Sequence, residues 1–323
     1  MSSASSYPPR APENGASFTA TIHGDTYDAV NPHKYSDLRG CSVFISGASR
    51  GVGFATALAC VAAGCRDLAL ASLERISDEL IEELQTATNS PAEATENKPL
   101  NLLLFILDVR SAEAVAAVAA ETARAFGGHL DILVNNAGFL EKSAPIAASD
   151  PDAYWYPFEV NLRGTYLVTR ALLPLLLSDR GNGDRSHAET RAGENTGLRT
   201  LINVSSMGAF AFRTGGSAYQ TSKWAVLKFT EFVMAEYADQ GVLAYCVHPG
   251  GILTKLALNM PENTHAGLTD TPALAGDTIV FLAHQRREWL AGRYISCKWD
   301  MPEFLGREKE IVDGDKLKVR LVV

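Results

Sequence analysis

Six short apolar runs punctuate this chain: Ser42–Ile45, Leu68–Ala71, Leu102–Leu107, Ile132–Val134, Leu201–Val204 and Leu243–Val247. Helical stretches separate them, over residues 51–63, 78–85, 112–126, 152–177 and 217–238. None of the runs alternates apolar and polar residues, as strands covered on both faces should not. Strands alternating with helices on this scale require parallel pairing and right-handed crossovers. The expected fold is therefore α/β, a doubly wound parallel sheet of Rossmann-like form, in a single domain over residues 39–300.

Composition fits that outline. With 323 residues, 46% of them hydrophobic, the chain can bury one large core. A net charge of −8 argues against a nucleic-acid partner, where a basic face is expected. The five cysteines include no C-x-x-C pair and read as reduced core thiols, with no metal-ligand spacing among Cys and His. Residues 1–15 are rich in Ser, Pro and Ala and hold no apolar core of a secretory signal. No apolar run approaches the ~18 residues that span a bilayer. A cytoplasmic protein without membrane contact is expected.

Four segments fall outside the alternation. Residues 1–38 form a polar arm, draped over the domain or partly mobile. Residues 178–199 form a polar, Gly-rich surface insertion, with a functional lid as the alternative. Residues 249–272 form an irregular stretch after the sixth strand, where open α/β sheets bind ligands. Residues 301–323 form a C-terminal tail.

The chemistry begins where the first strand runs into Ser46-Gly47-Ala48-Ser49-Arg50-Gly51-Val52-Gly53. Glycines there make a tight turn, let backbone approach a pyrophosphate and let helix and strand pack closely. The helix that follows offers free N–H groups and a positive dipole end. A second element is Tyr219 and Lys223, one turn apart on a helix face. An ammonium beside a phenol favours the phenolate and makes the tyrosine a usable acid or base.

Together these motifs resemble the short-chain dehydrogenase/reductase superfamily, and fungal members in particular. Ser46–Gly53 is similar to its T-G-x-x-x-G-x-G turn, with Ser46 in place of Thr. Asn135-Asn136-Ala137-Gly138 resembles its N-N-A-G element, and Asn161 its helix asparagine. Ser206 precedes Tyr219 at the offset of the catalytic serine, and Ser205 is the less well-placed alternative. Pro249-Gly250-Gly251-Ile252-Leu253-Thr254 resembles the segment that closes over a nicotinamide. The resemblance spans residues 40–300.

It implies a catalytic set of Ser206, Tyr219, Lys223 and Asn161. Tyr219 exchanges a proton with the substrate oxygen, Ser206 holds that oxygen, and Lys223 lowers the Tyr219 pKa and binds the nicotinamide ribose. Asn161 positions a water that links Lys223 to a proton relay, or else caps backbone groups. Cofactor contacts are implied for Gly47, Ser49, Arg50, Gly51, Val52, Gly53, Ser72, Asp108, Val109, Asn135, Tyr219, Lys223, Ile252 and Thr254. Asp108 has a second reading as a helix cap and Asn135 as a turn-former. His248 reads as structural.

No acidic residue stands at Ala71 or Ser72, the end of the second strand, to hydrogen-bond a ribose 2′-hydroxyl. Arg50 and Arg75 can reach a 2′-phosphate, which favours NADP(H) over NAD(H); Glu74 is the contrary signal. Phe139, Leu140, Met207, Phe210 and Phe212 suggest an apolar pocket, while Tyr154, Trp155 and Tyr156 read as helix packing. The expected activity is hydride transfer between NADP(H) and a hydrophobic ketone, aldehyde or secondary alcohol, most simply carbonyl reduction in a biosynthetic setting. Epimerase, dehydratase or isomerase chemistry on the same tyrosine, and non-catalytic nucleotide sensing, are the alternatives. A homodimer or homotetramer through the 152–177 and 217–238 helices is expected.

Overall fold

The computed structural model describes residues 14–87, 99–179 and 197–321. The first part of the arm, most of the 86–99 connection and most of the 178–199 insertion lie outside these residues. The described strands are β1 (Ser42–Ser46), β2 (Asp67–Ser72), β3 (Asn101–Ile106), β4 (Ile132–Asn135), β5 (Thr200–Val204), β6 (Leu243–His248) and β7 (Tyr294–Ser296). They form one sheet in the order β3-β2-β1-β4-β5-β6-β7. Every neighbouring pair is parallel. The six anticipated runs are all present, and β7 is added at one edge.

Register fixes where a ligand fits. Phe44 of β1 lies opposite Ala69 of β2 on one side and Leu133 of β4 on the other. The chain winds outward from β1 through β2 to β3, then returns to start β4 on the other flank of β1. Loops leaving the carboxyl ends of β1 and β4 therefore diverge and open a crevice between them.

Side chains alternate across the sheet, so successive residues of one strand feed opposite cores. Val43 and Ile45 pack with Ala57 of the Gly51–Ala62 helix and Ile279 of the Pro272–Ala283 helix. Phe44 joins Val115 of the Ala112–Ala125 helix and Leu172 of the Thr165–Leu177 helix. All of these are buried, and each of the Val, Ile, Leu and Phe side chains contributes about 1.5–3 kcal/mol of burial. Only edge strand β3 shows alternating exposure, with Ile106 at 71%.

The single helix anticipated over 152–177 is divided. An α-helix Pro151–Pro157 passes into a π-helical turn Phe158–Gly164 and then the α-helix Thr165–Leu177. Two local causes are visible. Pro157 has no N–H for the ladder, and Thr165 Oγ1 donates to the Asn161 carbonyl at 2.7 Å in competition with backbone donors. The wider turn places Asn161 inward, fully buried.

The described arm is draped over the domain. His23 N donates to the Lys298 carbonyl at 2.8 Å, and Ile22 makes an antiparallel bridge to Trp299. Trp299 Nε1 donates to the Gly15 carbonyl at 2.8 Å, and its fully buried ring lies 4.9 Å from that of Phe18. Beyond residue 300 the chain folds into short helices, Met301–Leu305 and Glu308–Asp313, that bury Met301, Phe304 and Ile311. Among the described residues, no helix is long and apolar enough to cross a membrane.

Candidate active site

A cavity of about 450 Å³ occupies the crevice beyond β1 and β4. Its floor is the turn after β1. Gly47 sits at φ +69°, and a Cβ there would lie 2.7 Å from the Ala137 Cα. At Gly53 a Cβ would lie 2.4 Å from the Gly47 carbonyl oxygen and 2.5 Å from Asn136 Nδ2. Only hydrogen fits at either place. The Gly51–Ala62 helix begins without a side-chain cap, so its first N–H groups are free for a ligand. Ser49, Arg50, Gly51 and Val52 line the cavity there, and Gly53 lies behind them.

Asn136 holds this turn to the end of β4. Its Nδ2 donates to the Ser46 and Gly47 carbonyls at 3.0 and 2.9 Å. Ser46 Oγ accepts in return from Asn136 N at 3.1 Å and Ala137 N at 3.2 Å. The neighbouring Asn135, expected at the cofactor, does not line the cavity. Its Nδ2 donates to Thr169 Oγ1 and Asn203 Oδ1, both at 2.9 Å, inside the core beneath the sheet's end. Consecutive strand residues face opposite sides, so Asn136 takes the place read for Asn135.

Tyr219 and Lys223 lie on the Ser217–Tyr237 helix, and Ser206 stands just past the end of β5. All three line the cavity. The Ser206 hydroxyl lies close enough to the Tyr219 phenol to act on its ionisation. Ser206 Oγ also accepts from Gly208 N at 2.9 Å, which caps the short turn that follows and fixes the hydroxyl. Ser205, by contrast, turns inward and donates to the Lys223 carbonyl at 2.9 Å.

The electrostatics differ from the sequence expectation. Lys223 was expected to lower the Tyr219 pKa. Burial is the dominant cause and raises it above the ordinary phenol value; the neighbouring Ser206 hydroxyl lowers it, and the charge of Glu141 raises it. The Lys223 Nζ is 5.8 Å from the Tyr219 ring centroid and donates to the Val204 carbonyl at 2.8 Å. Burial pulls the lysine itself down to about 8. Two groups of opposite charge type are thus pushed toward their neutral forms by one dry environment.

Asn161 braces this arrangement. Its Oδ1 accepts from Phe139 N at 2.8 Å, and its Nδ2 donates to the Phe139 carbonyl and Ser222 Oγ, both at 2.9 Å. The side chain ties the loop after β4 to the Ser217–Tyr237 helix, beside Lys223: a Cβ on Gly138 would lie 3.5 Å from both Asn161 Oδ1 and Lys223 Nζ.

Toward the other end of the cavity lie Ser72, Glu74, Asp108 and Val109. Arg110 chelates Asp108, with Nη2 to Oδ2 at 2.6 Å, and holds its carboxyl below the usual range. Arg50 pairs with Glu74 Oε2, and Lys255 Nζ meets Glu74 Oε1 at 3.1 Å. The two cations, Arg50 first, hold the Glu74 carboxyl down at about 2. Arg75, the other expected phosphate partner, pairs instead with Asp78 at 2.6 Å. Glu74 and Lys255 are 181 residues apart, so their meeting carries no local sequence signal.

Ile252 and Thr254 line the wall formed by residues 249–261. An antiparallel bridge from Ile252 to Thr269 shapes that segment, as does buried Asp270, which accepts from Gly251 N at 2.6 Å and pairs with Lys298 at 2.6 Å. His248 is buried, and burial pulls it down to about 4, so it stays neutral at physiological pH. Phe139, Leu140 and Met207 line the cavity as expected. Phe210 instead packs edge-on against Tyr294 at 5.1 Å, and Phe212 is exposed. Tyr156 joins the wall, edge-on to Phe139 at 4.6 Å. Glu141, three residues past Gly138, also lines the cavity and was not singled out in the sequence. Among the described residues, no group of His, Cys, Asp and Glu could hold a metal ion.

Comparison with known proteins agrees with this geometry. Residues 42–265 match the family described as short chain dehydrogenase. A short chain dehydrogenase of Monascus ruber, citE, is 44% identical over 317 residues, covering 98% of this chain and 99% of the relative. Another from the same organism, pigC, is 38% identical over 307 residues, covering 94% and 93%. Among solved structures, an Escherichia coli CFT073 protein complexed with NADPH is 26% identical at a TM-score of 0.64, covering 82% of this chain and 99% of that one.

Proposed function

Because the chain belongs to the short chain dehydrogenase family, we propose that it is an oxidoreductase that transfers a hydride between NADP(H) and a hydrophobic ketone, aldehyde or secondary alcohol, with carbonyl reduction as its working direction. The observation that carries this reading is the meeting of Ser206, Tyr219 and Lys223 in one cavity with the glycine turn. The turn fits a dinucleotide, since any Cβ at Gly47 or Gly53 would fill its cradle and the helix N–H groups beside it are uncapped. When bound, the cofactor supplies the hydride.

The chain's own residues supply the rest. Ser206 and Tyr219 donate to the carbonyl oxygen and stabilise the charge that develops there. Tyr219 then gives that oxygen its phenolic proton. Its raised pKa keeps that proton in place at neutral pH. Lys223 stabilises the phenolate left behind. Phe139, Leu140, Met207 and Tyr156 give the substrate end an apolar wall, which suits a neutral, hydrophobic carbonyl compound. At the adenosine end, Arg50 and Lys255 outnumber Glu74, leaving net positive charge for a 2′-phosphate. The NADPH complex of the E. coli relative supports the same choice.

Consumption of NADPH and NADH against a panel of hydrophobic ketones and aldehydes tests this function. The wild type should oxidise NADPH with members of the panel, and Tyr219→Phe should lower kcat/KM by roughly 10²–10⁴-fold. A wild type that binds NADPH and reduces nothing refutes the reading. We also propose self-association through the helices on either side of the cavity, where Trp155, Tyr166, Trp224 and Phe232 are exposed.

A further inference from the structure

We propose that Glu141 is a substrate-binding residue, and that its Oε2 accepts a hydrogen bond from a hydroxyl carried by the carbonyl substrate. This rests on the reading of the cavity as a carbonyl-reducing site. It narrows the substrate class from hydrophobic carbonyl compounds to hydroxyl-bearing ones.

The two oxygens of Glu141 have different situations. Oε1 accepts from Tyr219 N at 3.2 Å, in the first turn of the Ser217–Tyr237 helix. That helix starts at Gly216 with no side-chain cap of its own, so a residue 78 positions earlier supplies the acceptor its N-terminus lacks. Oε2 is buried and has no hydrogen-bond partner among the described residues. The residue is only 9% exposed, and it lines the cavity. A buried carboxyl oxygen without a donor is costly, and native structures leave few of them. The bond from Tyr219 N anchors one oxygen of the carboxyl group.

The position relative to the reacting group adds a second argument. Glu141 lies near enough to the Tyr219 phenol for its charge to act on it. Glu141, Ser206 and Tyr219 line the same cavity, so a substrate held by Ser206 and Tyr219 shares that cavity with Glu141. Phe139, Leu140 and Met207 give the cavity wall apolar surface, so an acceptor left unpaired beside them discriminates between a ligand with a donor and one without. A carbonyl compound with a hydroxyl donor satisfies Oε2; a bare hydrocarbon leaves it dry and unpaired.

The test is calorimetric binding to the NADP⁺-saturated protein of acetophenone and of its ortho-, meta- and para-hydroxy derivatives. In the wild type at least one hydroxy isomer should bind about tenfold or more tightly than acetophenone, the value of a hydrogen bond to a charged group. Glu141→Gln retains an acceptor for Tyr219 N but leaves the hydroxyl only a weaker, neutral hydrogen bond to the amide, and should reduce the preference to less than about threefold. Glu141→Asp, which withdraws the carboxyl by one methylene, should reduce it too and serves if the first variant does not fold. A wild type with no preference for any hydroxy isomer, including one that binds none of the four, overturns the proposal. So does either variant with the preference intact. Because binding is read directly, these outcomes are distinct from failure of NADPH oxidation with a carbonyl panel, which overturns the functional reading instead.

Discussion

Lys223 is the site where the fold's cost is most directly measurable. It is 4% exposed, and burial pulls its pKa from 10.5 to about 8. The native state therefore binds that proton less tightly than the unfolded chain does. Above pH 10.5 the lysine is neutral in both states and imposes no charge penalty. Between 10.5 and about 8 the unfolded chain holds the proton and the native protein does not, so stability falls as pH is lowered through this window. Below about 8 the penalty is complete, at about 3 kcal/mol for a displacement of this size. Lys223→Met removes the titration. The difference in unfolding free energy between wild type and variant should thus move by about 3 kcal/mol in favour of the wild type from pH 7.5 to 10.5. Cys246 nearby is pushed up to about 12 and stays protonated across the window in both native proteins, and its titration in the unfolded chain is common to both and cancels in the comparison. Urea titrations followed by tryptophan fluorescence at half-unit pH steps give the curve. A difference that stays flat across the window refutes the argument that burial, rather than a nearby charge, sets the state of Lys223.

Three further outcomes follow from the site. Gly53→Ala puts a Cβ 2.4 Å from the Gly47 carbonyl and should cost about 1–3 kcal/mol as well as weaken NADPH binding; an unchanged melting temperature and unchanged Kd would contradict the close-approach account. Glu74→Gln removes the negative charge between Arg50 and Lys255 and should shift the Kd ratio toward NADPH over NADH, with the shift shrinking as salt rises; fluorescence titration of both nucleotides reads it, and an unmoved ratio sinks the charge argument. Trp224→Glu, on the exposed face of the Ser217–Tyr237 helix, should lower the mass of the proposed homodimer or homotetramer in light scattering, toward the 34.7 kDa of one chain for a dimer, and an unaltered mass would exclude that face as the interface.

The fold was legible because its signals are local. Each strand is a short apolar run, and a strand covered on both faces cannot alternate. The glycine turn, Ser206, Tyr219 and Lys223 were legible for the same reason: strand ends and one helical turn bring them to the cavity without help from distant residues. What escaped depends on parity and distance. Asn135 and Asn136 differ by one residue, which reverses the face each presents. The π-helical turn after Pro157 depends on a missing N–H and on the hydroxyl of Thr165, neither of which alters the apolar pattern. Glu141 capping a helix from 78 residues away and Lys255 meeting Glu74 across 181 residues have no signature within any window of sequence. The Tyr219 pKa also escaped, because spacing shows that an ammonium is near and does not show how dry the phenol is.

The clasp between the arm and Trp299 has a consequence for biosynthesis. Gly15 and Trp299 are 284 residues apart, and His23 and Asp300 are 277 apart. At about 5–20 residues per second a ribosome needs roughly 15–60 s to make the intervening chain. Throughout that interval Phe18 lacks the rings of Trp299 and Phe304, and Ile22 lacks its bridge to Trp299, although the strands behind them are already emerging in the order in which they pair. The first described stretch of the chain to be translated is thus among the last to find its place. During that wait the Phe18 ring is open to chaperones, and it is covered only once Trp299 arrives.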